Sequence, residues 1–204
     1  FWDVVALKKP DQVPLMPMLD FFPAKYSGIT VEEAMTKPES MIAAWLKYLD
    51  DFQPDRAENP FPLRGFAPLL AALDFQHLKW AGHGLPSDMP YQFVELEMMK
   101  ADEYDHFLGD MSDFMVRKYL PMVHKCLARL AKLTPLNQQI PYFWCLYNFS
   151  AFADPDIQPA LEALKNSSVH VQTIFGHAAQ FGQSAVAKGL TTTSGAYAQA
   201  PPAP

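Results

Sequence analysis

A chain of 204 residues, half of them hydrophobic and 19% charged, is long enough to bury a core and too apolar to stay disordered. No run approaches the roughly 18 to 20 apolar residues of a membrane-crossing helix, and the opening FWDVVALKKPDQ lacks the basic-then-apolar order of a secretory leader. A net charge of −6 without a basic cluster argues against nucleic acid as a partner.

In chain order, QVPLMPML (residues 12–19) is a short apolar run bounded by proline and predicts a buried strand. Thr30-Val31-Glu32-Glu33 has the Ser/Thr-x-x-Glu form that caps a helix. KPESMIAAWLKYLDDF predicts a helix over 38–52, with Pro38 in its first turn and Met41, Ile42, Trp45, Leu46, Leu49 and Phe52 at helical spacing. A second short strand is expected near Asp55 to Glu58. GFAPLLAAL is helix-like, and Phe75, Leu78 and Trp80 then alternate with polar residues as a short extended segment.

Further on, 98–108 and 112–133 predict helices, the latter with Ser112 as N-cap and a kink or division at Pro121. TPLNQQIPYFWCLYNFSAF, aromatic and nearly free of charge, is expected as a buried strand or inner-wall segment. DPDIQPALEALKN predicts a short helix, and 169–188 an apolar stripe of Val171, Ile174, Phe175, Ala178, Phe181 and Val186 that Gly189 stops. There is no internal repeat. Pattern alone reads as a helix-rich α/β or α domain.

No Gly-rich phosphate loop, nucleophile elbow, HExxH or EF-hand loop is present. Cys126 and Cys145 form no CxxC and read as buried free thiols of a reducing, cytoplasmic setting. His77 and His83 are too far apart for a helical ligand pair, so no metal site is expected of them. His106 and His124 fall in helical patterns, and His170 and His177 share a packing face. In Gly82-His83-Gly84 two glycines place an imidazole on an uncrowded turn, which suits a ligand-facing group as well as an ordinary turn. Among the carboxylates Asp55, Glu58 and Glu95, Glu58 stands at the expected C-terminal end of a strand, the edge where α/β barrels gather catalytic groups.

Four stretches carry a resemblance to a known family: ALKKPDQVPLMPML, AWLKYLDDFQPDRAENPF, PYQFVELEMMKADEYDHFLGDMSDF and GLTTTSGAYAQAP. Together they resemble the front of uroporphyrinogen-decarboxylase-superfamily chains, in their uncharacterised anaerobic branch. The resemblance implies an α/β fold, the N-terminal portion of a (β/α)8 TIM-type barrel over residues 1–200, with 201–204 a proline-rich end or truncation. It places the turn that carries His83 over the barrel mouth.

The decarboxylases of that superfamily hold a many-carboxylate substrate with two arginines after the first strand. The matching stretch here, Phe22-Pro23-Ala24-Lys25-Tyr26, has neither arginine, and Lys25 supplies at most a point charge. The family's substrate-contacting aspartate falls near Glu58-Asn59. The resemblance therefore implies corrinoid-linked methyl transfer, with uroporphyrinogen decarboxylation (a lyase) or a non-catalytic binding subunit as alternatives. It makes His83 and Glu58 the expected catalytic residues and Asn59, Lys25 and Glu95 the expected substrate contacts. It implies no cofactor within this segment: zinc would be held by residues beyond 204 and the corrinoid by a partner protein. A small-molecule substrate, no membrane and a homodimer complete the expectation.

Overall fold

The computed structural model describes residues 1–135 and 142–192. The front half contains α1 (Trp2–Val5), α2 (Phe22–Tyr26), α3 (Val31–Thr36), α4 (Pro38–Phe52), β1 (Arg56–Ala57), α5 (Phe61–Arg64) and α6 (Ala67–Leu73). There follow β2 (Leu78–Ala81), β3 (Gly84–Leu85), β4 (Tyr91–Phe93), α7 (Tyr104–Gly109), α8 (Met111–Phe114), α9 (Leu120–Val123), α10 (Gln158–Ala187) and β5 (Thr191–Thr192). The protein is mixed α/β and 59% helical. Its described strands form a parallel pair, β1 with β5, and a three-stranded sheet in the order β3-β2-β4.

Two compact units divide the chain. One comprises Phe1–Pro68, Trp80–Tyr91 and the chain from Val171, the other Leu69–Lys79 and Gln92–His170.

In the first unit, the predicted cap is present: Thr30 Oγ1 accepts a hydrogen bond from the Glu33 amide at 3.0 Å. Pro38 then opens α4, whose missing amide donor costs nothing in a first turn. Met41, Ile42, Ala44, Trp45, Tyr48 and Leu49 face inward at three- and four-residue spacing, and Gln53 ends the helix in the left-handed region at φ 47°. Phe52, expected on the buried stripe, is exposed and stacks on Tyr48 with ring centroids 5.0 Å apart.

The strand expected over 12–19 does not form as such. Pro14 and Pro17 remove two of its backbone donors, so no ladder can run along it. The segment is extended chain that tracks β1 instead. The Leu15 amide donates to Asp55 Oδ2 at 2.6 Å, the Asp55 amide donates to the Leu15 carbonyl at 3.1 Å, and the Leu19 amide donates to Glu58 Oε2 at 3.3 Å. Fifteen to nineteen runs the same way as fifty-five to fifty-eight.

The Gly82-His83-Gly84 turn brings Trp80 opposite Gly84 and Ala81 opposite Leu85 in parallel register. A chain meets itself so soon only by coiling tightly, and Gly82 and Gly84 do this at φ 75° and 80°. A Cβ on Gly82 would also stand 2.3 Å from Glu32 Oε1. Gly82→Ala is therefore expected to cost about 1–2 kcal/mol in chemical denaturation. Glu32→Ala in that background should recover only the clash, since the backbone strain remains.

The second unit closes over Leu73, Leu127, Leu130, Leu133, Ile157 and Ala160, with Leu69, Leu120 and Phe152 packed against them. The long helix expected over 112–133 is broken into four pieces. Asp110, not Ser112, caps α8, its Oδ1 accepting from the Asp113 amide at 2.9 Å. Residues Met115–Tyr119 are π-helical, just before the proline that cannot donate to the preceding turn. At His124 the backbone becomes extended, with φ −127° and ψ 110°, and Lys125–Lys132 continue as a 3-10 helix. Of the expected aromatic strand, residues 136–141 lie outside the described residues and Tyr142–Ala153 form a 3-10 helix. There the packing of Phe152 on the leucine core outweighs the strand preference of aromatics. The two helices expected after Asp154 are one, α10, of 30 residues. Gly189 at φ 78° follows it, where a stop was expected.

Candidate functional site

Glu58 leaves the C-terminal end of β1 and meets Arg64 at the last turn of α5. Arg64 Nη2 donates to Glu58 Oε1 at 3.1 Å, while Glu58 Oε2 accepts from the Leu19 amide. Arg64 is only 6% exposed, an unusual place for a guanidinium. Three features let it stay there. Glu58 supplies a counter-charge, Trp45 lies under the guanidinium with the ring centroid 5.9 Å from Cζ, and proline-rich corners at Pro54 and Pro60, both fully buried, hold β1 and α5 in place. The pair uses one of the five N–H donors that arginine carries. Among the described residues, the buried Arg64 Nε and Nη1 find no hydrogen-bond partner, and neither does the buried Trp45 Nε1.

Neighbouring residues fix this corner. Asn59 Nδ2 donates to the Ala178 carbonyl on α10 at 2.8 Å, and its Oδ1 accepts from the Phe61 amide at 3.2 Å. Phe61 is fully buried and stacks on His177, with centroids 5.5 Å apart and planes 25° apart. The Tyr48 hydroxyl, on the inner face of α4, is held above its ordinary pKa by burial and then by the negative charge of Glu58. Tyr48 is thus a neutral donor beside a carboxylate at neutral pH.

Of the sequence-predicted site residues, Glu58 and Asn59 stand together at this corner. Asn59 has its amide engaged in joining α5 to α10. Lys25 is exposed on α2, and no described hydrogen bond joins it to Glu58. Glu95 is exposed after β4 and belongs to the second unit. His83 is exposed on its turn, its ring lying flat on Trp80 at 4.1 Å and 10°, while Trp80 itself is buried. Asp55 is occupied by Leu15 and by Gln12 Nε2. The reading of the sequence missed Arg64. Its signal was available: between Glu58 and Asp74, Arg64 is the sole charged residue of an otherwise apolar, proline-punctuated run.

The second unit holds another buried charge. Asp113 accepts from Arg117 Nε at 2.6 Å and Nη2 at 2.8 Å, and His106 Nε2 lies 2.5 Å from Asp113 Oδ2. Arg117 Nη1 also donates to the Leu133 carbonyl at 3.0 Å. Asp113 and Arg117 border a cavity of about 190 Å³ whose apolar wall is Val116, Leu133 and Phe152. Hydrogen bonds from Arg117 first, then from His106, hold the Asp113 carboxyl below its ordinary value against the opposing effect of burial. His124 is buried against Phe75, and burial holds its imidazole below the ordinary value.

Both depressed values act in the same direction. A buried neutral His124 must take up a proton on unfolding once the pH falls below its unfolded value, about 6.5. The contribution of Asp113 is intact above about 3.8 and is lost as the pH falls through its folded value. The second unit is therefore expected to lose denaturant resistance in two stages on acidification. His124→Gln should flatten the first stage and leave the second, as read by urea midpoints across the acid range.

Cys126, expected to be buried, is an exposed free thiol. Among the described residues no group of three or more His, Cys, Asp or Glu side chains is arranged to hold a metal ion, and no helix is long and apolar enough to cross a membrane. Comparison with protein-family models, with curated proteins and with solved structures found no match for the chain.

Proposed function

We propose that this chain is the front part of an enzyme of the uroporphyrinogen-decarboxylase superfamily, built on a (β/α)8 barrel and engaged in corrinoid-linked methyl transfer. The observation that carries the reading is the Glu58–Arg64 pair at the C-terminal end of β1, the edge of a barrel strand on which such folds place their chemistry. The arrangement around it is of the same kind. An extended segment tracks β1 in the parallel sense, α4 connects the two, and β5 pairs with β1 in parallel, Arg56 opposite Thr191. Parallel neighbours joined through a helix are the repeating unit of that architecture.

In this reading Glu58 is the carboxylate at the reacting centre and His83 a hydrogen-bonding or proton-handling group on a turn over the mouth. The described residues do not offer a zinc site, and no step is assigned to zinc. A cytoplasmic location accompanies the proposal, in which an exposed Cys126 stays reduced.

The test is turnover by the full-length chain with methylcobalamin or a methylated corrinoid protein as donor and a thiol as acceptor. Methyl transfer that falls in His83→Ala, with unchanged folding, is the expected result. Uroporphyrinogen III should be decarboxylated negligibly, because neither arginine of the Phe22–Tyr26 stretch is present. Decarboxylation within about tenfold of an authentic decarboxylase, a gap of only ~1.4 kcal/mol in barrier, overturns the assignment in favour of the lyase.

A further inference from the structure

The second unit holds a cavity that has no part in the Glu58–Arg64 corner. Its volume is about 190 Å³, and the side chains that line it, from Asp110 to Phe152, all belong to the continuous run Gln92–His170. Close-packed interiors leave few voids larger than a water molecule, so a cavity of this size calls for an occupant. Val116, Leu133 and Phe152 give it an apolar wall, and Asp110, Asp113 and Arg117 a charged side. Its remaining neighbours, Ser112 and Thr134, are exposed, as is Val116, so the cavity can be reached from solvent. An apolar hollow with a few converging polar groups is the usual form of a small-molecule site.

Charge selects the occupant. Every nitrogen of Arg117 is engaged, Nε and Nη2 with Asp113 and Nη1 with the Leu133 carbonyl. An anion would therefore meet two carboxylates and no free guanidinium edge. Asp113, its side chain 6% exposed, is compensated by Arg117. Asp110 is not. Its Oδ1 accepts from the Asp113 amide, and its Oδ2 has no hydrogen-bond partner among the described residues. One uncompensated carboxylate beside an apolar wall suits an organic cation better than a metal ion, which would require several oxygens. An ammonium brings three donors and can place one on Asp110 Oδ2. A cavity of about 150 Å³ lined by aliphatic and phenyl side chains takes a benzene molecule, so this one has room for a ring and a short arm. We propose that the cavity binds a small primary amine, with its ammonium on Asp110 and its apolar body against Val116, Leu133 and Phe152. This site lies beyond the methyl-transfer reading and does not depend on it.

Three probes of one shape and different charge test it: benzylamine, benzyl alcohol and benzoate. Each is titrated at neutral pH and constant ionic strength into the full chain, labelled with carbon-13 at its valine and leucine methyls. The Val116 and Leu133 methyl resonances are followed, assigned by Val116→Ile and Leu133→Met. Benzylamine is expected to shift both saturably. Benzyl alcohol should bind about tenfold more weakly, the worth of one charge-assisted hydrogen bond, and benzoate should give no saturable shift. Asp110→Asn should bring benzylamine down to the affinity of the alcohol. Asparagine caps a helix as well as aspartate does, so α8 should keep its start in that variant. No saturable shift with benzylamine in the wild-type chain overturns the proposal. So does a shift that spares Val116 and Leu133, because the amine would then sit elsewhere. Equal binding of the alcohol, tighter binding of benzoate, or an Asp110→Asn affinity equal to wild type overturns the assignment of an amine to Asp110. The wild-type comparison of the three probes decides the matter even if Asp110→Asn does not fold.

Discussion

Glu58→Gln is expected to destabilise the first unit by about 3 kcal/mol, the cost of leaving a buried cation without its counter-charge. The amide keeps the shape and still accepts from Arg64, but its NH2 then faces the Leu19 amide, so the loss combines the missing charge with one hydrogen bond. Arg64 is nearly sealed from solvent and Glu58 largely so, with side-chain exposures of 7% and 20%, and screening does little to relieve the imbalance. The double variant Glu58→Gln/Arg64→Met should regain much of the loss, because a well-packed apolar replacement of a buried pair is often neutral. Urea unfolding followed by tryptophan fluorescence suits the test, since Trp45 and Trp80 both belong to this unit. A midpoint for Glu58→Gln within error of wild type would mean that the pair is solvated in solution. A double variant no better than the single would mean that the pair's geometry, and not its charge balance, is what the fold requires.

Trp45→Ala is expected to cost about 3–5 kcal/mol, among the largest effects of any single replacement. Trp45 has no exposed surface, sits mid-way along α4 and meets Phe21 edge-on at 6.4 Å. Its removal leaves a cavity and also strips Arg64 of the aromatic face beneath it. Trp45→Phe keeps most of the volume and should cost roughly half as much or less. Equal losses for the two variants would point to the indole nitrogen as the stabilising group, and would then require an acceptor for it.

Some of this protein is plain in its sequence. The α4 boundaries, the Thr30 cap and the short strand before Glu58 follow from local chemistry: a proline tolerated only in a first turn, a hydroxyl within reach of an amide, and a helical stripe that ends where prolines begin. Other elements depend on partners that no local rule names. Helical spacing runs unbroken through 112–133, yet Pro121 and the extended backbone at His124 divide that stretch. The aromatic stretch at 142–153 has strand propensity and becomes helical because Ala151 and Phe152 seal the leucine core. The candidate site was half visible. Glu58 was marked by its position after a strand, but the importance of Arg64 comes from burial, and a lone arginine shows its burial only by the scarcity of charge around it. The histidine turn was conspicuous for its glycines, and these are accounted for by backbone conformation and by the close approach of Glu32.

The first unit is assembled from three separate stretches, and this orders its birth on the ribosome. Residues 1–68 emerge early, but the carbonyl of Ala178 that Asn59 reaches for, and β5 that pairs with β1, are encoded more than a hundred residues later. At about 5–20 residues per second, the nascent chain waits roughly 5–20 s with that half-built unit exposed. The second unit, largely the continuous run from Gln92 to His170, has its own leucine core complete before then. Fully buried Phe61 and Phe181, which lie on opposite sides of that delay, are surfaces that a chaperone would be expected to shield during synthesis.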